Sequence, residues 1–176
     1  MTAARLVVVA GLPGAGKTTL AREVAARIGA TFLRIDSIET VISRTLVPVR
    51  DSPVGYVVAQ QVAADQLRAG RPVVADAVNG VEPARRSWDE LAREHDVLPV
   101  YVEVTCSDVA EHRRRVEQRA ADLEGQGLLT WQQVLDREWQ PFGRDRIVVD
   151  NRGTVDDAVA WVLEQFRWGD PASGDG

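Results

Sequence analysis

Residues 11 to 18 read Gly11-Leu12-Pro13-Gly14-Ala15-Gly16-Lys17-Thr18. Three closely spaced glycines let a backbone turn tightly with its N–H groups facing inward, forming a cradle for an anion. Lys17 adds a compact ammonium, and Thr18 adds a hydroxyl suited to a hard cation such as Mg²⁺. The spacing is G-x-x-x-x-G-K-[ST], which cradles nucleoside triphosphate when a strand precedes it and a helix follows. Both flanks are present. Leu6 to Ala10 is a valine-rich run fit for a buried strand, and Thr18 to Ile28 places Leu20, Val24 and Ile28 on one helical stripe ending at Gly29. Lys17 is then expected at the β- and γ-phosphates, Thr18 on the metal and Thr19 on the α-phosphate. Lys17 is the only lysine among 21 basic residues. A chain this averse to lysine keeps one where a point charge is needed and a planar guanidinium would not fit.

Two aspartates close strand-like runs elsewhere. Thr31 to Ile35 ends at Asp36, and Pro72 to Ala75 runs into Asp76. A carboxylate at Asp36 can take a proton from an acceptor hydroxyl or orient it for in-line attack. Asp76 after Val73-Val74-Ala75 can hold Mg²⁺ or its water shell. A helix N-cap is the competing role for each, and Asp36 with Glu39 resembles a capping box. Asn79 and Arg85 follow the third strand, where Asn79 can bond an acceptor hydroxyl and Arg85 can clamp an anionic group. Arg115 and Arg119 share one face of a charged helix and can close over the triphosphate as a lid. Pairing with Glu111, Glu117 and Asp122 on a solvated face is their alternative. Arg113 and Arg114 read as surface, Trp88, Trp131 and Trp139 as packing residues, His95 and His112 as solvated, and Cys106 as a small buried residue.

The remaining elements alternate. Helices are expected at Val54 to Ala69, Pro83 to Glu94, Asp108 to Leu123, Trp131 to Trp139 and Thr154 to Phe166. Strands are expected at Leu98 to Val104 and Ile147 to Val149. Such alternation predicts an α/β fold, a parallel sheet with helices on both faces and chemistry beyond the carboxyl ends of the strands. With 176 residues, one domain over 1–168 is expected, followed by a disordered tail at 169–176. The net charge of −5 speaks against nucleic acid as partner, and no apolar run approaches the length of a membrane span. A single cysteine suits a reducing, cytoplasmic setting.

The segments GLPGAGKTTLA, IDSIE, VVADAVN with Arg85 and Trp88, and HRRRVEQR resemble the small AAA-type P-loop kinases. That group includes chloramphenicol phosphotransferase, gluconate kinase, shikimate kinase and zeta-toxin kinases. The likeness runs from Leu6 to about Phe166. It implies a P-loop NTPase three-layer sandwich with strand order 2-3-1-4-5, a short lid and a Mg·ATP donor. It also implies that Asp36 is the base, as in chloramphenicol phosphotransferase-like enzymes. Shikimate kinase-like enzymes carry D-x-D here, whereas this chain has Arg34-Ile35-Asp36. Val148 to Gly153 resembles the loop beside the adenine, which puts Arg152 at the nucleotide and leaves ATP and GTP both open.

The leading expectation is transfer of a γ-phosphate to a hydroxyl of a small metabolite or natural product, antibiotics included. A nucleoside or nucleotide kinase is one alternative. A regulatory P-loop switch with no small-molecule acceptor is another.

Overall fold

The computed structural model describes residues 5–45, 52–118 and 129–165. Five strands, β1 (Leu6–Ala10), β2 (Thr31–Arg34), β3 (Val73–Asp76), β4 (Pro99–Thr105) and β5 (Ile147–Asp150), form one parallel sheet ordered β2-β3-β1-β4-β5. Both the parallel sheet and the order match expectation. The helices are α1 (Lys17–Ile28), α2 (Ile35–Thr45), α3 (Val54–Arg68), α4 (Glu82–Glu94), α5 (Val109–Gln118), α6 (Trp131–Leu135) and α7 (Val155–Gln165).

Alternate residues of each strand feed two cores. Val7, Val9, Val74, Val102 and Val149 pack with Leu20 and Val24 of α1 and Val159 and Val162 of α7. Leu6, Val8, Leu33, Val73 and Ala75 pack on the other face with α3 and with Trp88 and Leu91 of α4. Every residue of β1 is buried, because the strand is central and covered on both faces. Among the described residues no helix is long and apolar enough to cross a membrane.

Two elements depart from expectation. β2 ends at Arg34 and passes directly into α2, so Asp36 lies in a first helical turn and not at a strand end. The helix expected to reach Trp139 stops at Leu135, with Asp136 as its C-cap. The charged helix expected from Asp108 to Leu123 is described as Val109–Gln118, and residues 119–123 lie outside the described residues, as do Phe166 and the tail expected at 169–176.

Candidate active site

The glycine loop leaves β1 at the carboxyl edge of the sheet and ends in α1. Gly14 and Gly16 adopt φ of 81° and 99°, a left-handed backbone natural only to glycine. Gly16 is the N-cap of α1 and supplies no side-chain cap, and the first turn carries no acidic residue. The positive end of the helix is therefore left for an outside anion. Leu12, Pro13 and Ala15 complete the turn, with Ala15 N donating to Leu12 O at 3.2 Å. Thr19 is exposed in the first turn.

Lys17 is only 5% exposed, and its Nζ donates to Leu12 O at 3.0 Å. Thr18 Oγ1 donates to Asp76 Oδ2 at 2.6 Å. Asp76 sits between two strands in register, level with Val9 of β1 and Arg34 of β2. Its burial pushes the carboxyl pKa up, opposed by Lys17 and the Thr18 hydrogen bond, raised further by Asp36 and eased by Arg34. The ionised carboxylate is thus short of counter-charge, a deficit that a divalent cation would relieve. Thr18 and Asp76 offer only hard oxygens, and the Thr18 hydroxyl gives its proton to Asp76 while its lone pairs stay available. That set fits Mg²⁺, which takes one or two protein oxygens and fills its shell with phosphate and water.

Asp36 lies half-buried in the first turn of α2, one strand beyond Asp76 and within electrostatic reach of it. Glu39, read in the sequence as the capping-box partner of Asp36, stands near it together with Tyr56 and Arg137, which sequence reasoning missed. Glu39 has its pKa raised by burial and then by Asp36, with Arg137 opposing. Tyr56 of α3 is pushed up to about 12, chiefly by burial, with Glu39 and Asp36 adding to the shift. Arg137, exposed just after α6, adds a cation to this group. The i, i+3 spacing of Asp36 and Glu39 was a usable signal, whereas Tyr56 and Arg137 arrive only through tertiary folding.

Asn79 and Arg85 are not placed to receive an acceptor. Both are 0% exposed. Asn79 Nδ2 donates to Val9 O at 2.9 Å, and its Oδ1 accepts from Trp88 Nε1 at 3.1 Å. Arg85 donates to the carbonyls of Asn79, Gly80, Gln140 and Pro141 at 2.9, 2.6, 2.5 and 2.9 Å. Its guanidinium also lies 3.9 Å over the Phe142 ring. These side chains spend their hydrogen-bonding capacity inside the protein, and the acceptor roles expected for them are withdrawn.

On the opposite side of the loop, Arg115 donates from Nε to Glu111 Oε1 at 2.7 Å, and its Nη1 lies 3.6 Å from where a Gly16 Cβ would stand. Arg119 lies outside the described residues. Arg152 is largely exposed and 3.9 Å from Asp150, beside Asn151, whose side chain reaches the loop. His112, expected in solvent, is 7% exposed and bonded to Pro13 O at 2.8 Å. Cys106 is half-buried, and its thiol is pushed up mainly by that burial.

A 2-3-1-4-5 parallel sheet whose central strand opens into a glycine cradle and a helix N-terminus defines a P-loop NTPase-like fold. A family model described as an AAA domain matches residues 6–137, and the chain belongs to that family. No curated protein matches the sequence. Among solved structures, a Chloroflexus aurantiacus j-10-fl protein provisionally described as a kinase is similar with a TM-score of 0.75 at 21% identity, covering 97% of this chain and 100% of that one. A gluconokinase from Sinorhizobium meliloti 1021 has a TM-score of 0.65 at 20% identity, covering 93% and 91%. The APS kinase of Mycobacterium tuberculosis, in complex with AMPPNP and APS, has a TM-score of 0.70 at 16% identity, covering 94% and 98%. At these identities the likeness is one of fold.

Proposed function

We propose that this chain is a Mg²⁺-dependent phosphotransferase that moves the γ-phosphate of ATP or GTP to a hydroxyl of a small molecule. The observation that carries this reading is a convergence at one edge of the sheet. Lys17 and the Thr18–Asp76 pair stand at the glycine cradle, and Asp36 stands just past β2, one strand beyond Asp76. A bare nucleotide switch has no need of that further carboxylate. The gluconokinase and the APS kinase sharing this fold are named for small-molecule acceptors, which supports the same class here.

The residues divide the work. The loop N–H groups and the α1 terminus bind the phosphates, and Lys17 exchanges Leu12 O for a phosphate oxygen. Thr18 and Asp76 would hold Mg²⁺, which supplies charge neutralisation on the transferring phosphoryl group when bound. Asp36 orients the acceptor hydroxyl and receives its proton. Arg115 stands at the outer rim, where a guanidinium can stabilise developing charge.

The test is ADP release in the presence of a panel of hydroxyl-bearing metabolites and natural products, using wild type and Asp36→Asn. A true acceptor raises the rate well above the water background. In the variant, transfer should fall by roughly 10²–10⁴ while nucleotide affinity holds. If no compound exceeds the water rate, the phosphotransferase reading is lost and a nucleotide switch takes its place. If Asp36→Asn transfers normally, Asp36 is only part of the helix start.

A further inference from the structure

The outward side of the glycine loop carries contacts that phosphate binding alone does not explain. Three of its carbonyls accept side-chain hydrogen bonds. Leu12 O takes Lys17 Nζ at 3.0 Å, Pro13 O takes His112 Nε2 at 2.8 Å, and Ala15 O takes Asn151 Nδ2 at 2.9 Å. A peptide group is a rigid plane with C=O and N–H pointing in opposite directions. Tying Pro13 O outward therefore aims the N–H of Gly14 inward, and tying Ala15 O outward aims the N–H of Gly16 inward. The Leu12 carbonyl differs, because the next residue is Pro13 and its peptide has no N–H to aim. Lys17 can leave Leu12 O for a phosphate without loosening any donor of the cradle. His112 and Asn151 have no such reason to move.

The glycines make room for exactly these neighbours. A Cβ at Gly14 would lie 2.6 Å from Val116 Cγ2 and 3.2 Å from His112 Cδ2. A Cβ at Gly16 would lie 1.9 Å from Asn151 Nδ2. Both donors are themselves held. The His112 ring meets Trp131 edge-on with centroids 5.0 Å apart, and the Asn151 backbone N–H donates to Thr105 O at 2.8 Å. One clasp therefore comes from α5 and the other from the turn between β5 and α7.

We propose that His112 and Asn151 are positioning residues that preset the N–H groups of Gly14 and Gly16 for the nucleotide phosphates. This rests on the reading of the loop as a nucleotide site and needs no acceptor. Preset donors have less freedom to lose on binding, so the clasp acts on phosphate affinity.

The experiment measures Kd for ADP and for inorganic pyrophosphate by calorimetry in wild type, Asn151→Ala, His112→Leu and His112→Gln. Asn151→Ala and His112→Leu should each weaken both probes by the same factor, roughly three- to tenfold for one lost hydrogen bond. His112→Gln keeps a donor near the Nε2 position and should recover most of the loss. Unchanged ADP affinity in Asn151→Ala and His112→Leu overturns the proposal. So does a His112→Gln variant as weak as His112→Leu, since that marks mere packing. If His112→Leu does not fold, Asn151→Ala decides alone, its side chain being only half-buried in a turn. A wild-type protein that binds neither probe removes the nucleotide-site reading itself, an outcome distinct from failure of the clasp.

Discussion

Thr18 Oγ1 and Asp76 Oδ2 are 2.6 Å apart although 58 positions separate them in the chain. The bond joins the first turn of α1 to the end of β3, so the phosphate cradle and the buried carboxylate form one unit. Because the hydroxyl is the donor, its lone pairs remain free for a cation. Thr18→Ser keeps that oxygen and should retain most turnover. Thr18→Val keeps the shape and loses it, and turnover should drop on the order of a hundredfold or more, since metal stabilisation is worth several kcal/mol. Steady-state rates across a Mg²⁺ titration check this. Equal activity in both variants would take Thr18 out of the metal site.

Lys17 is buried and not the exposed loop residue that its setting suggests, so its removal has two effects of unequal size. Lys17→Ala loses the charged bond to Leu12 O and the counter-charge of buried Asp76, about 1.5–3 kcal/mol for the bond, which lowers the nucleotide-free melting temperature by about 3–12 °C. It also loses the charge-assisted phosphate contact, and ATP turnover should vanish. Lys17→Arg should fail as well, because a planar fork does not fit between two phosphates. Calorimetric ATP binding beside thermal melting separates the two effects. Normal ATP affinity in Lys17→Ala would end the phosphate-loop assignment.

The sheet and cradle were legible because their signals are local. An all-apolar run such as Leu6–Ala10 can only be a covered strand in this context, and the glycine–lysine spacing needs no partner to be read. α2 was not legible. Ile38, Thr40, Val41 and Ile42 are β-branched and speak weakly for helix, and the element forms by burying Ile35 and Thr40 and packing against α3. His112 reads as one more polar residue beside Arg113, Arg114 and Arg115, and its partner lies 99 positions away. The end of α6 was missed for the same kind of reason, since the Gln140 N–H, which a longer helix would give to Asp136 O, donates instead to Gly80 O at 2.8 Å.

Glu39 supplies a pH test. It lies against Gly55, where a Cβ would come within 2.4 Å of Glu39 Cγ. Burial and Asp36 on its own helix raise its pKa above the ordinary 4.5, Arg137 opposes, and Tyr56 of α3 lies within electrostatic reach. The folded protein thus binds this proton more tightly than the unfolded chain does. The stabilising share is complete below the unfolded pKa and is lost as pH rises through the folded value. Glu39→Gln removes that dependence. The melting temperature of the variant minus that of wild type should grow as pH rises above the ordinary 4.5. A constant or shrinking difference would mean that Glu39 is not destabilised in its charged form.

Arg85 separates a structural from a recognition role. Its guanidinium is fully buried, bonds four carbonyls and stacks on Phe142, with Glu82 3.8 Å away. Those carbonyls belong to the loop after β3 and to the segment after α6, so one side chain ties together two chain stretches that share no strand. Lysine offers three donors on a flexible stem and cannot reproduce the fork. Arg85→Lys should leave carbonyls unpaired and cost roughly 2–4 kcal/mol, a fall of about 5–15 °C in melting temperature. Nucleotide affinity measured below the transition should stay within about twofold, because the phosphate cradle makes none of these bonds. The opposite pattern, a stable protein with an acceptor KM raised many-fold, would return Arg85 to the acceptor site and show that its buried bonds open on binding.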